Sequence, residues 1–261
     1  MSAFSSLYGR LLDQELGSED STVLFTTARR QAAINDGLRE FADLTECLVR
    51  VSSVTVTGGA GEYDLHASSV ISDQDFLRLA ADQPVEFHYT DASSMTTYLS
   101  GPDLPERTVR WLDNYEPGWR DSTTLSSGMQ TPSVFYQRAE GGSWLLGFYP
   151  VPSTGSSASA KAIVPYVAEP SPLTSDTQQP FTVGGSVRRD LRPYHQALVH
   201  YGAHQLEKLR RDDAAADRQL QKFMGYVSRY LQSLRKKGGT SLTFARQYFR
   251  RTTGLGSDPR T

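Results

Sequence analysis

The period of the apolar residues changes twice along this chain, and those two changes constrain its fold more than any motif. From Val49 to about Val187 the period is two. "VRVSSVTVT", "EYDL", "VEFHYT", "RTVRWLD", "SVFYQR", "WLLGFYP" and "KAIVPYVA" are short β-branched and aromatic runs, separated by "GGAG", "GP", "EGG" and "PSTGSS". Short strands punctuated by turns, without amphipathic helices between them, predict an antiparallel sandwich or barrel. "QDFLRLA" reads as the one helical turn inside that block.

On either side the period is that of a helix. Phe4, Leu7, Tyr8, Leu11 and Leu12 share one face, and after the turn-like "GSEDST" a second pattern begins. Thr26 or Thr27 can cap "ARRQAAINDGLREFADLTEC", in which Ile34, Leu38, Phe41 and Leu48 form an apolar stripe. Gly37 within it costs about 1 kcal/mol relative to alanine and predicts a close helix contact there. Beyond the strands, Tyr194, Leu198, Tyr201 and Leu209 line one helix. Leu220, Phe223, Met224, Val227, Leu231 and Leu234 line another, with Asp212 or Asp213 marking the break and capping the second helix. The stripe nearly keeps its phase across that break, so a single long helix is the alternative. No single stripe can be buried without a partner. The prediction is therefore an α+β chain: a helical bundle formed by the N- and C-terminal helices (1–48 and 188–237), an inserted antiparallel β-sandwich or barrel (49–187), and an extended basic tail (238–261).

A hydrophobic content of 38% over 261 residues is enough for a packed core. No run approaches the roughly 20 apolar residues of a membrane span, and "MSAFSSLYGRLLDQEL" lacks the layout of a signal peptide, which predicts a protein made and kept in a cytoplasm. The single cysteine, Cys47, has no second metal ligand nearby and reads as a half-buried thiol at a helix end. Charge is divided unevenly. Of 27 Lys and Arg and 29 Asp and Glu, residues 186–261 hold 16 and 6, a balance of +10, which leaves 11 and 23, a balance of −12, for residues 1–185. Such a split predicts different partners for the two regions, unless each helix simply carries a solvated charged face.

Three of the five histidines, His195, His200 and His204, fall in "RPYHQALVHYGAH". His200 and His204 share a helix face, the spacing at which two imidazoles reach one zinc ion. Tyr201 stands where a zinc protease needs its glutamate, however, and His195 projects about 140° from His200 at roughly 100° per residue. Glu207 is the sole third ligand within reach, so the pair reads as packing or interface residues rather than a metal site. "GGAGEYDL" lacks the third glycine and helix of a dinucleotide loop, "GGSVRR" is not a nucleophile elbow, and Asp73 and Asp75 read as solvated carboxylates. Neither an enzyme nor a cofactor is predicted.

The tail "SLTFARQYFRRTTGLGSDPRT" mixes cations with aromatics: Phe244, Arg246, Tyr248, Phe249, Arg250 and Arg251. The same residues suit nucleic acid, a disordered end, or a segment that orders in a protein groove, with aromatics in pockets and arginines on acidic rims.

Three phrases together resemble a known family: "ARRQAAINDGLREFAD"; "TPSVFYQRAEGGSWLLGFYPVPS" followed by "AKAIVPYVAEPSPLTSDTQQP"; and "LRPYHQALVHYGAHQLEKLRRDDAAADRQLQKF". They resemble the head-to-tail adaptor, or connector, proteins of tailed bacteriophages, in the larger subset with a β-domain insertion. The resemblance implies that the second phrase is a sheet hairpin ending at a proline turn and that the third opens a helix of the bundle. It also implies a structural virion protein at the head–tail junction, in a homo-oligomeric ring of about twelve copies. That ring would join the portal protein to a downstream neck or tail protein, with DNA passing through its channel without sequence-specific binding. The C-terminal segment would reach the portal, a role in which Phe244, Arg246, Tyr248, Phe249, Arg250 and Arg251 are read from charge and aromaticity. Another neck or tail-completion ring protein, and a nucleic-acid-binding accessory protein using the basic C-terminus, are the alternatives. The segment "SSMTTYLSGPDLPERTVRWLDNYEPGWRDSTTLSSG" and the histidine content depart from the family.

Overall fold

A computed structural model describes residues 3–16, 25–57, 60–71, 75–80, 83–91, 96–99, 104–116, 119, 131–152, 159–183 and 186–236. Along the chain the elements are α1 (Phe4–Arg10), α2 (Thr27–Thr45), β1 (Val49–Val56), β2 (Glu62–Asp64), β3 (Phe76–Leu79), β4 (Glu86–Asp91), β5 (Thr96–Leu99), α3 (Val109–Tyr115), β6 (Val134–Glu140), β7 (Ser143–Tyr149), β8 (Ser159–Ala168), β9 (Thr182–Val183), β10 (Ser186–Val187), α4 (His195–Arg210) and α5 (Asp213–Lys236). A π-helical turn, Leu11–Leu16, continues α1, and a 3-10 turn, Arg189–Tyr194, leads into α4. The chain is mixed helix and strand with antiparallel sheets, as an α+β fold requires. It divides into two compact units, Met1–Leu48 with Ala168–Thr261, and Val49–Val167.

In the helical unit the ends of the helices are set by their caps. Thr26 Oγ1 accepts the Arg29 N–H at 3.3 Å, and α2 ends where Glu46 turns left-handed at φ 50°. Asp212 Oδ1 accepts the Ala215 N–H at 2.9 Å, and Arg211 at φ 65° stops α4. Two helices result rather than one, because the left-handed residue and the cap satisfy backbone groups that a continuous helix would bond internally. The core centres on Phe41, fully buried, whose ring lies 5.4 Å from Phe181, 5.9 Å from Tyr194, 6.2 Å from Phe223 and 6.0 Å from Tyr230. Helices α2 and α4 pack closely through two glycines. A Cβ at Gly37 would stand 3.1 Å from Tyr201 Cβ and 3.3 Å from the Leu198 carbonyl, and one at Gly202 would stand 3.4 Å from Ile34 of α2, and 3.0 Å from Leu11 of the turn after α1.

The β unit holds a sheet ordered β1-β8-β4-β5, with β3 also on β8, and a second sheet ordered β2-β7-β6. Val54 and Val56 of β1, Phe87 of β4, and Ala162, Val164 and Tyr166 of β8 are buried in the first; Leu146 and Phe148 of β7 are buried in the second. Phe87 meets Phe148 at 5.9 Å, joining the apolar faces of the two sheets. β6 and β7 form a hairpin turning at Gly141 and Gly142, both with positive φ, and β7 ends at the cis Tyr149–Pro150 bond. Tyr136 lies over Gly147, its partner across the hairpin, where an added Cβ would overlap the hydroxyl end of the ring.

Four expectations need correction. "QDFLRLA" holds a strand, not a helical turn: β3 pairs with β8, and the Ala80 N–H donates to the Pro165 carbonyl at 3.1 Å. An unfilled stretch of β8 edge overrides local preference there. "RTVRWLD" holds α3, not a strand, because Thr108 Oγ1 caps the Trp111 N–H at 3.2 Å and Leu112 is buried against Val134 and Tyr136. Residues 168–187, grouped with the strands from their sequence, share a compact unit with the helices. There Phe181 and Leu173 are buried, and Asn35 of α2 exchanges hydrogen bonds with the Leu173 backbone at 2.9 and 3.1 Å. Leu209, assigned to the buried stripe of α4, is 58% exposed, since α4 ends one residue later.

Candidate interaction surfaces

The histidines of α4 face inward. His204 Nδ1 lies 2.9 Å from the Ala216 carbonyl, which can only accept, so the ring carries its proton on that nitrogen. His200 Nδ1 lies 3.0 Å from Gln219 Oε1 and its ring stacks on Tyr226 at 5.8 Å. Both imidazoles therefore join α4 to α5, a packing role, where the missing glutamate and third ligand had pointed to packing or interface residues. Burial is the main cause that lowers the His204 pKa and keeps the ring neutral. His195 is buried with no hydrogen-bond partner on either nitrogen, against Phe181 at 5.7 Å. Burial, with the cations Arg10 and Arg192 adding to it, lowers its pKa to about 4. Glu207 is buried on the same helix. Among the described residues no group of three or more His, Cys, Asp or Glu side chains is arranged to hold a metal ion.

Cys47 is fully buried rather than half-buried, and burial pushes its pKa up to about 12. The thiol stays protonated and inert. Asp75 is not a solvated carboxylate: it accepts from Arg50 at 2.7 Å and from the Tyr166 hydroxyl at 2.8 Å, tying β1 to β8. Asp73 lies outside the described residues.

What remains on the surface suits contact with other macromolecules. Arg29, Ala32, Ala33 and Asp36 of α2 and Gln205, Leu206, Lys208 and Leu209 of α4 line an open trough of about 460 Å³, with charges of both signs and an exposed leucine at its end. In the β unit, Trp111 and Tyr115 stack at 5.3 Å on α3, and the Arg107 guanidinium sits 5.3 Å from the Trp111 ring. Tyr115 is 67% exposed. The few residues that carry most of the binding energy at protein interfaces are enriched in Trp, Tyr and Arg. The sequence reading missed this face by taking the segment for a strand, although the i, i+4 spacing of Trp111 and Tyr115 after a capping Thr108 is a helix signature. The tail residues Phe244, Arg246, Tyr248, Phe249, Arg250 and Arg251 lie outside the described residues.

Among the described residues no helix is long and apolar enough to cross a membrane. A search of curated proteins finds no match to the chain. A family model described as SU10 adaptor protein matches residues 4–248, which takes in both compact units. That family is a class of structural adaptors, not of enzymes, and its members are components of the phage virion. With nearly its whole length covered by that match, the chain belongs to the SU10 adaptor protein family and is a phage adaptor structural protein.

Proposed function

We propose that the protein forms a homo-oligomeric ring of about twelve copies that joins the portal to the next neck or tail protein and encloses part of the DNA channel. The finer architecture, a helical bundle with an inserted β-sandwich, belongs to the same reading. The observation that carries it is the extent of the family match, which continues past the end of α5 at Lys236 to residue 248. Phe244, Arg246 and Tyr248 fall within it, and Phe249, Arg250 and Arg251 follow it directly.

The distribution of charge supports the assignment of surfaces. A channel wall rich in cations would hold the passing duplex, because each phosphate contact adds to affinity, whereas an acidic wall lets it slide. Residues 1–185, with a balance of −12, suit the wall, and the basic residues 186–261 suit an acidic protein neighbour. In the tail, Phe244 and Tyr248 stand four residues apart, so a helix induced on docking would present both on one side. Ordering costs about 1 to 2 kcal/mol per residue and is recovered when the aromatics enter pockets on the portal. Deleting residues 238–261 is expected to abolish attachment to portal-bearing heads while leaving thermal unfolding of the remaining chain unchanged. Attachment with unaltered affinity would refute the role of the tail.

A further inference from the structure

β1 and β5 end the strand path β1-β8-β4-β5, with β3 lying off that path on β8, and hydrogen-bond register shows which backbone groups each end strand turns outward. Continuing the β1–β8 register places Leu48 opposite Ala168, and the Ala168 N–H donates to the Leu48 carbonyl at 2.9 Å. Bonded and non-bonded pairs alternate along an antiparallel ladder. Arg50, Ser52, Val54 and Val56 therefore bond to β8, and Val49, Val51, Ser53 and Thr55 turn their N–H and C=O groups outward. Pro165 agrees: it stands opposite Val51, has no N–H to give, and accepts from Ala80 on its other side. The same alternation carried across β8 and β4 turns Thr97 and Leu99 of β5 outward.

Edge strands are normally blunted by lysine, proline, a bulge or a covering element. β1 is eight residues long and pairs in unbroken register with β8. Its outward positions are Val49, Val51, Ser53 and Thr55, none of them charged, and Val51 is 60% exposed. β5 reads "TTYL", also without charge. Among the described residues no strand pairs with the outer side of either one.

We propose that β1 of one copy pairs antiparallel with β5 of the next, so that the sheets of neighbouring copies join around the ring; this rests on the ring reading above. Three features of the sheet favour β5 of a second copy over any other occupant. The path β1-β8-β4-β5 is antiparallel at each of its steps, so its two edges run in opposite directions, and a copy placed head to tail offers an antiparallel partner. The outward-bonding positions of both strands also lie, by register, on the sheet face that carries Lys161, Glu86 and His88, so pairing them aligns hydrogen bonds and pleat together. Finally, an edge-to-edge contact between two different edges repeats from copy to copy and can close into a ring, whereas pairing β1 with β1 stops at a dimer.

The test is a disulfide across the seam. Bonded antiparallel pairs hold their Cα atoms about 5.5 Å apart, within disulfide range. Cys47 is buried and supplies no background. Chains carrying Ser53→Cys with Thr97→Cys, and Ser53→Cys with Leu99→Cys, are oxidised alone and on portal-bearing heads, then run on non-reducing gels. At least one pair is expected to give a ladder of covalent oligomers from dimer upward on the heads, while each single-cysteine variant stops at dimer. Ser53→Lys, which adds a charge at the seam, is expected to lower assembly on heads at least tenfold with unchanged circular dichroism. If neither pair gives a ladder beyond dimer, the strand pairing is overturned, whether or not electron microscopy shows a ring. A ladder from open chains with no ring would overturn the closed-ring reading and leave the pairing standing.

Discussion

The two units treat their polar groups differently. In the helical unit polar side chains are buried in the interior: His200 with Gln219, His204 with the Ala216 carbonyl, and His195 against Phe181 with neither nitrogen bonded. In the β unit they form half-exposed chains between strands. Arg138 donates twice to Glu62, at 2.7 and 2.8 Å, and Glu62 also accepts from the Tyr136 hydroxyl at 2.9 Å; Asp75 joins Arg50 to Tyr166. The helical unit is thus fixed by the fit of side chains around Phe41 and the two glycine crossings. The β unit is fixed by ladders and polar ties across its sheets, and it leaves strand edges and an aromatic helix face for neighbours.

The largest effect that would sharpen this contrast is expected from Phe41→Ala. Removing a ring that meets four other aromatics is expected to destabilise the helical unit by about 3 to 5 kcal/mol. Hydrogen exchange read residue by residue checks it: protection falls in 27–45 and 195–236 and is retained in 49–167. Equal loss in both units would break the comparison.

Next comes Gly147→Ala. The new methyl group must displace the buried Tyr136 ring, and with it the bond from Tyr136 to Glu62, at a cost of about 2 to 3 kcal/mol. Denaturant unfolding measures the loss. Gly147→Ala combined with Tyr136→Ala makes room for the methyl group and is expected to cost less than the two single changes together.

The smallest effect concerns acid. The unfolded chain binds a proton at His195 with a pKa near 6.5, but burial holds the folded value to about 4. Between these values the unfolded state binds more protons, so the contribution of His195 is fully present above about pH 6.5 and is lost as pH falls toward 4. About 1 kcal/mol is the expected loss at pH 5.5 relative to pH 7.5. His195→Leu removes a buried imidazole that has no partner, so it is expected to flatten the slope of Tm against pH and to keep or raise Tm at pH 7.5. An unchanged slope would show that other groups, His204 among them, carry the acid response.

Alone, the sequence determined where the chain changes from helix to strand and back, since the apolar period shifts at Val49 and returns in α4. A cap at Thr26 or Thr27, a break with a cap at Asp212 or Asp213, and the close approach at Gly37 were legible because each depends largely on residues adjacent in the chain; the structure chose Thr26 and Asp212, and chose two helices over one long one. Tertiary structure decided what depends on partners distant in sequence. "QDFLRLA" became a strand because β8 offered an open edge; "RTVRWLD" already carried a helix signature in its Thr108 cap and the Trp111–Tyr115 spacing, and the burial of Leu112 against β6 added to it. Phe181 was drawn into the helical unit by the ring of Phe41, and Asp75 was taken by Arg50 and Tyr166. A run of seven residues costs little to hold as either helix or strand, so the larger area it buries in one of them decides between the two. Long amphipathic helices such as α5 carry that decision in their own periodicity.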